Sequence, residues 1–259
     1  MSKLKPLRII SIMATIIIVI IIIELVLASE SKHALENGIT PLEAFLPRPS
    51  KIIMAYIKNA HVINKELLYT LSRSMIGLLA GMILALVIAF VAFLSKGFNT
   101  FANPFLQAIN SFPIIGFAPL IILVFGQGSN FGIIFISMLL AYFPIYVSVH
   151  HAINDIPIGV QELSTSLKTT RTNDFIHIRL GEIKSPLVAS LKLAFPASII
   201  GATIGEWLGT SHGIGQLVTV SLYRFQPEIM YASLLVLVII NLLALWIIAI
   251  LEKRVSPWI

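Results

Sequence analysis

Residues 230–251 read MYASLLVLVIINLLALWIIAIL, a stretch in which Asn241 is the only strongly polar side chain. An α-helix rises about 1.5 Å per residue, so roughly 20 apolar residues cross the hydrocarbon layer of a membrane. Comparable runs recur along the chain. We therefore predict a single all-α domain over residues 1–259, a polytopic membrane bundle with six spans at 9–28, 74–94, 104–125, 131–149, 186–208 and 230–251.

The composition excludes a water-soluble protein. Hydrophobic residues make up 57% of the chain and charged residues 12%, whereas soluble domains carry about 25% charged residues. The net charge of +6 could suit nucleic acid. However, the basic residues lie in short segments between apolar runs, where they set membrane topology. We expect the lipid bilayer as a partner and no nucleic acid.

The first apolar run follows Lys3, Lys5 and Arg8, as the core of a secretory signal peptide would. A signal peptide core is usually only about 7–15 residues long, which is shorter than residues 9–28. We expect this run to be retained as a membrane anchor.

Lysine and arginine are distributed unequally between alternate loops. With the N-terminus inside, eleven fall on the inner side and six on the outer side. The inner ones are Lys3, Lys5, Arg8, Lys96, Lys168, Arg171, Arg179, Lys184, Lys192, Lys253 and Arg254; the outer ones are Lys32, Arg48, Lys51, Lys58, Lys65 and Arg224. Inner loops carry the excess of such residues, so both termini are predicted to be cytoplasmic.

The third run contains Pro113 and Pro119, and each proline removes a backbone donor, so we expect this span to be broken or bent. The polar residues Asn110 and Ser111 beside the break could line a transport path or make hydrogen bonds between helices. Glu206 in the fifth run needs a partner, because an uncompensated charge in lipid is costly. It could meet solute at the outer mouth or form a structural pair with Arg73.

Two pairs of glycines are spaced four residues apart, Gly77 with Gly81 and Gly201 with Gly205. Small residues at this spacing let helix backbones approach closely in lipid. The spacing alone leaves packing within the chain and a seam between two chains equally open.

Residues 150–185 form the largest predicted cytoplasmic loop, and two short helices fit it. Asp155 can begin the first helix, and Thr170 or Thr172 the second. An apolar stripe along the first helix consists of Val160, Leu163 and Leu167. The loop could dock into a groove on a cytoplasmic partner or lie as a connector on the membrane surface.

This loop resembles the cytoplasmic signature of binding-protein-dependent ABC importer permeases, written E-A-A, three residues, then G. Glu162 matches the glutamate, while Leu163 and Ser164 replace the alanines, Lys168 replaces the glycine and Gly181 replaces a downstream proline. The resemblance implies a loop that couples to an ATPase, and its predicted residues are Glu162, Leu163, Ser166, Leu167, Lys168, Arg171 and Phe175.

The flanking segments resemble the nitrate/sulfonate/taurine branch of that family, and the likeness extends over nearly the whole chain. It is carried by Glu24-Leu25, Leu46-Pro47-Arg48-Pro49, Arg73, residues 112–120, Gly205-Glu206, Leu251-Glu252-Lys253-Arg254 and Pro257-Trp258. The branch implies a homodimeric permease that carries two cytoplasmic ATPases and receives solute from an extracytoplasmic binding protein. The implied solutes are small oxyanions such as sulfonates, taurine or nitrate, with pyrimidine vitamin precursors as the alternative.

The sequence predicts a subunit that is not an enzyme. It has no phosphate loop of the form GxxxxGKS or GxxxxGKT, so ATP hydrolysis is expected on separate subunits. The absence of cysteine excludes thiolate metal sites and cysteine nucleophiles. We expect no catalytic residue, cofactor or metal, and a transport path at Asn110, Ser111, Pro113 and Glu206. The competing interpretation is a secondary transporter driven by an ion gradient.

Overall fold

The computed structural model describes residues 4–36, 42–155, 159, 162, 166 and 170–255, and every regular element within them is helical. This confirms the predicted all-α class. In chain order the elements are α1 Leu4–Glu36, a 3-10 helix Leu42–Ala44, α2 Pro49–Leu94, α3 Lys96–Ser111, α4 Ile114–Phe125, α5 Asn130–Asn154, α6 Arg171–Asp174, a π-helix Phe175–Arg179, α7 Leu180–Gly209, α8 Ile214–Tyr223 and α9 Pro227–Val255.

Four stretches of the described chain are long and apolar enough to cross a membrane, and α3 with α4 supplies a fifth if the bent pair is one span. The four are α2, α5, α9 and the continuous helix Arg171–Gly209 that joins α6 to α7. The predicted first span, residues 9–28, lies inside α1, which that count does not include. Six spans therefore stay a prediction.

The predicted break in the third apolar run falls at Phe112 and Pro113, between α3 and α4, and the two helices meet at 92°. Pro113 pushes the residue before it out of the helical region, and Phe112 accordingly has φ −67° and ψ 135°. The bent pair begins at Lys96, whereas the predicted span began at residue 104.

The chain divides into two units, residues 1–64 with 217–236 and residues 65–216 with 237–259. In the first unit, Glu24 on α1 accepts hydrogen bonds from the backbone N–H of Ser50 at 3.1 Å and from its hydroxyl at 2.6 Å. Ser50 lies in the first turn of α2, where a carboxylate is favoured by the helix dipole. Glu24 thus joins α1 to the start of α2.

In the second unit, α5 lies against both α2 and α7, and the glycine pairs make this close approach possible. A Cβ placed on Gly201 would lie 2.6 Å from the Cα of Ser137, and one on Gly81 would lie 3.0 Å from the Met138 carbonyl oxygen. Gly205 faces Ile133 in the same way. The glycine spacing therefore serves packing within the chain, one of the two alternatives that the sequence left open.

The helix α5 runs to Asn154 and α6 begins at Arg171, so the predicted loop 150–185 shrinks to residues 155–170. Thr170 begins the second helix as predicted, but that helix continues through the π-helix into α7 and forms no separate hairpin arm. Asp155 is the C-terminal cap of α5. The helix that it was expected to begin is described only at residues 159, 162 and 166, all three helical.

Candidate functional site

The start of α6 is fastened to the C-terminal end of α2. Thr170 caps α6, and its side-chain oxygen accepts from the Asn173 N–H at 3.4 Å. The Arg171 guanidinium donates to the carbonyl oxygens of Leu94 at 2.9 Å and Phe93 at 3.4 Å. The last carbonyls of a helix have no partner inside it, and the negative end of the helix dipole favours a cation there. Arg171 therefore stabilises the end of α2.

Aromatic packing reinforces this junction. The Phe175 ring lies 4.7 Å from the Phe90 ring, edge to face, and 5.6 Å from the Phe93 ring, measured between centroids. The Arg179 guanidinium lies 4.6 Å above the Phe93 ring. Aromatic pairs and cation–π contacts of this geometry are each worth about 0.5–1.5 kcal/mol. The junction combines polar and apolar contacts on one helix end.

Arg179 also connects the junction to α5. Its Nε donates to the Asp174 carboxylate at 2.8 Å, and its Nη1 donates to the Ile153 carbonyl oxygen near the end of α5. Asp174 is buried. The segment 171–179, which we call the junction segment, is thus bound to the ends of α2 and α5 together.

The predicted coupling residues fall into three groups. Arg171 and Phe175 belong to the junction segment. Glu162 and Ser166 lie in helical conformation with exposed side chains. Leu163, Leu167 and Lys168 lie outside the described residues.

Beside the junction segment lies an open polar cleft of 590 Å³. Its charged lining residues are Lys96, Arg171, Asp174 and Arg179. Three cations with one carboxylate give the cleft a positive character. All three cations come from segments that the sequence predicts to be cytoplasmic.

A second constellation joins α2 to α7 through a buried ion pair. Arg73 Nη1 lies 2.9 Å from Glu206 Oε1, and the two side chains are 6% and 0% exposed. Glu206 Oε2 accepts from the Thr70 hydroxyl at 2.8 Å and from the Gly215 N–H at 3.0 Å. The structural pair that the sequence analysis weighed for Glu206 is therefore present, and both carboxylate oxygens are occupied.

The same arginine holds the connection between α7 and α8. Arg73 Nη1 donates to the His212 carbonyl oxygen at 2.8 Å, Nη2 to the Thr210 hydroxyl at 3.4 Å and Nε to the Asn130 side-chain oxygen at 2.9 Å. Gly213 follows with φ 111°, a conformation that side chains rarely adopt. Arg73 therefore donates hydrogen bonds to four residues, Glu206, His212, Thr210 and Asn130. We call these residues, together with Thr70 and Gly215, the Arg73 network.

The predicted path residues differ in their exposure to solvent. Asn110 and Ser111 end α3, Pro113 precedes α4, and all three are exposed. The Ser111 hydroxyl donates to the Gln107 carbonyl oxygen at 2.9 Å. Glu206 is fully buried between α2 and residues 213–215. A role of these residues in transport remains a proposal.

Residues 74–257 match the model of a protein family described as the binding-protein-dependent transport system inner membrane component. The chain belongs to this family. It is therefore a multi-pass membrane subunit of an ABC importer, a permease component without a catalytic role of its own. Family membership implies an ATPase and a solute-binding protein as partners.

The similar curated proteins are permeases of the same kind. A probable ABC transporter permease of Haemophilus influenzae is 28% identical over 76% of this chain and 80% of its own length. The formylaminopyrimidine transport permease ThiX of Halalkalibacterium halodurans is 27% identical over 82% and 85%. A Bacillus subtilis protein named as the aliphatic sulfonates transport permease SsuC is 23% identical over 82% and 78%.

Among solved structures, a chain of the MetNI methionine ABC transporter in an inward facing conformation has the same fold. Its TM-score is 0.63 at 19% identity, with 72% of this chain and 93% of that chain covered. The predicted family resemblance is confirmed, and the secondary transporter interpretation is set aside.

Several residues of this ABC importer permease were missed from the sequence. Thr70 and Gly215 complete the hydrogen bonds to Glu206, and Asp174 and the Ile153 carbonyl oxygen accept hydrogen bonds from Arg179. Asp174 and Arg179 are oppositely charged residues five apart in one predicted loop, a signal that could have indicated the pair. Nothing in the sequence marks the Ile153 carbonyl.

Proposed function

We propose that this permease acts as a homodimer with two copies of a cytoplasmic ATPase, and that it moves a small solute delivered by an extracytoplasmic binding protein. The junction segment carries the proposal. A permease without a nucleotide site must receive the work of ATP binding and hydrolysis through a mechanical contact. The junction segment directly follows the loop that resembles the ATPase-coupling signature, and it is bound to the ends of α2 and α5.

In this proposal, residues 155–170 dock on the ATPase and the junction segment passes the movement to the membrane helices. Glu162 and Ser166 present polar side chains for docking because they are exposed. Arg171 and Phe175 would pull on the end of α2, and Arg179 on the end of α5. Both helices would then move together, because neither can separate from the segment without losing these contacts.

The proposed orientation places both termini and the junction segment in the cytoplasm. It is supported by the cleft in which Lys96, Arg171 and Arg179 gather, since inner membrane surfaces favour such residues. Single cysteines at Gly128 and Thr165 can be introduced on this cysteine-free chain. Labelling of the first from outside and the second from inside would agree with the orientation, and the reverse would contradict it.

Two solute classes are candidates. The branch resemblance favours a small oxyanion, and the protein named SsuC supports sulfonates. The similarity to ThiX supports a formylaminopyrimidine. In either case we propose that the transport path passes Asn110, Ser111 and Pro113 at the bend between α3 and α4. Glu206 would fix the position of the segment between α7 and α8 at the wall of this path.

Docking is tested by changing Glu162 to Arg together with Leu167 to Asp. This reverses one charge and removes one apolar contact, whose burial is worth about 1.5–3 kcal/mol. We expect the ATPase to be lost on purification of the permease from detergent, while permease abundance in the membrane is unchanged. Glu182→Arg is the matched control, since Glu182 is an exposed glutamate at the start of α7. Retention of the ATPase by the double variant would show that residues 155–170 are not its docking element.

A further inference from the structure

An open pocket of 470 Å³ lies between the turn that joins α4 to α5 and the end of α7 with the segment that follows it. Its volume falls in the range of small-molecule sites, about 300–1,000 Å³. Its lining side chains are one aromatic ring, two amides, two hydroxyls and one apolar group, namely Trp207, Gln127, Gln216, Thr210, Ser211 and Leu208.

The pocket walls are fixed in place by backbone and side-chain contacts. Gly126 and Gly128 have φ values of 91° and 81°, which shape the turn, and the Gly128 N–H donates to the Gly209 carbonyl oxygen at 2.5 Å. The Thr210 hydroxyl accepts a hydrogen bond from Arg73 Nη2 at 3.4 Å. The backbone on both sides of the pocket is therefore preorganised, which lowers the entropic cost of binding a ligand.

The pocket offers no charge to a ligand. Among the described residues that line it, none is Lys, Arg, Asp or Glu. Arg73 does not line the pocket, and its guanidinium already donates to Glu206, Asn130, Thr210 and the His212 carbonyl oxygen. An anion entering the pocket would leave water without gaining a cation, which is unfavourable.

The Trp207 side chain is accessible, since the residue is 48% exposed. An aromatic face carries negative potential, so it stacks well on neutral rings and poorly on anions. The amides of Gln127 and Gln216 each supply donors and acceptors. Ring nitrogens and exocyclic amino or formyl groups need that combination.

We propose that this pocket is a solute subsite of the permease that accepts planar, uncharged heteroaromatic molecules such as aminopyrimidines. The ring stacks on Trp207, and the glutamine amides pair with its polar edge. The subsite rests on the transport function proposed above and narrows it, because it selects the formylaminopyrimidine class over oxyanions.

The test uses cysteine protection in the complex of the permease with its ATPase, solubilised in detergent. Ser211→Cys places one cysteine in the pocket of a chain that has none. Tyr223→Cys is the control, at a residue that is 78% exposed and does not line the pocket. The rate of maleimide labelling is measured with a formylaminopyrimidine, with an alkanesulfonate and without ligand.

We expect the formylaminopyrimidine to slow labelling of Ser211→Cys, with no effect on Tyr223→Cys, and the alkanesulfonate to slow neither. Trp207→Ala should raise the pyrimidine concentration needed for protection roughly tenfold, and Trp207→Phe should largely restore it. Equal protection by the alkanesulfonate, or no protection by the pyrimidine, would overturn the subsite. Binding is read without ATP hydrolysis, so failure here is distinct from loss of ATPase docking.

Discussion

At the scale of single residues, the pair of Arg73 and Glu206 stands out because both charges are almost completely removed from solvent. A buried pair adds little net stability over an apolar one, but removing one partner leaves the other charge uncompensated. Thr70 and Gly215 bind the carboxylate further. We therefore interpret the pair as a structural support for the segment between α7 and α8.

This interpretation predicts the effect of Glu206→Gln. The amide leaves the Arg73 cation without its counter-charge, so we expect a loss of about 3–5 kcal/mol in the free energy of unfolding. Thermal or denaturant unfolding of the purified permease in detergent measures it.

The control is Glu252→Gln, which breaks an ion pair with Lys192 whose side chains are 26% and 37% exposed. Partly exposed pairs are worth about 0–1 kcal/mol. If Glu206→Gln unfolds no more easily than Glu252→Gln, the buried pair does not support the structure.

The sequence indicated that Arg73 and Glu206 are important, but it did not indicate which residues surround them. Glu206 was visible because charges within apolar runs are rare and Arg73 because it precedes the second run, and their pairing was one of two alternatives. The partners Thr70 and Gly215 could not be found, since threonine and glycine are common in such helices and Thr70 lies 136 positions from Glu206.

At the scale of helices, glycine determines how closely α7 approaches α5. A methyl group on Gly201 would meet the backbone at Ser137, which cannot move aside as a flexible side chain can. At Gly181, on the same helix, a methyl group would find no atom within 4 Å. One substitution should therefore have opposite effects at two positions of α7.

Gly201→Ala should destabilise the permease by about 1–3 kcal/mol, as overpacked cores do. Gly181→Ala should be neutral or stabilising by up to about 1 kcal/mol, because alanine loses less backbone freedom in a helix. Unfolding midpoints of the two variants and the parent chain provide the measurement. Equal midpoints for both variants would contradict the packing that we describe.

The helices themselves were predictable because lipid demands long apolar segments. Their ends were less so: α2 begins at Pro49, well before the predicted span at residue 74, because polar residues can extend a helix beyond the membrane. The continuity of α6, the π-helix and α7 was also missed. Capping by Thr170 marked where a helix begins, but nothing in the sequence showed that it would run on to Gly209.

At the scale of the whole molecule, the two described constellations occupy different parts of the fold. The junction segment binds the ends of α2 and α5, and the Arg73 network binds α2 to α7 and to the start of α5. Both helices that the junction segment would move, α2 and α5, therefore also contribute residues to the Arg73 network. In our account, movement received from the ATPase reaches the network, and the pocket beside it, through these shared helices.

Transmission through the junction segment is tested by Phe175→Ala in the complete transporter, reconstituted in proteoliposomes with its ATPase and binding protein. The change removes two ring pairs, each worth about 0.5–1.5 kcal/mol, and leaves residues 155–170 free to dock. Phe131→Ala is the control, since Phe131 is 74% exposed on α5.

Uptake of labelled formylaminopyrimidine and ATP hydrolysis are measured on the same vesicles. We predict that Phe175→Ala retains the ATPase and its hydrolysis but lowers uptake per ATP roughly tenfold, which corresponds to about 1.4 kcal/mol of lost coupling, whereas Phe131→Ala behaves as the parent chain. Unchanged uptake per ATP in Phe175→Ala would contradict the claim that the junction segment transmits the movement.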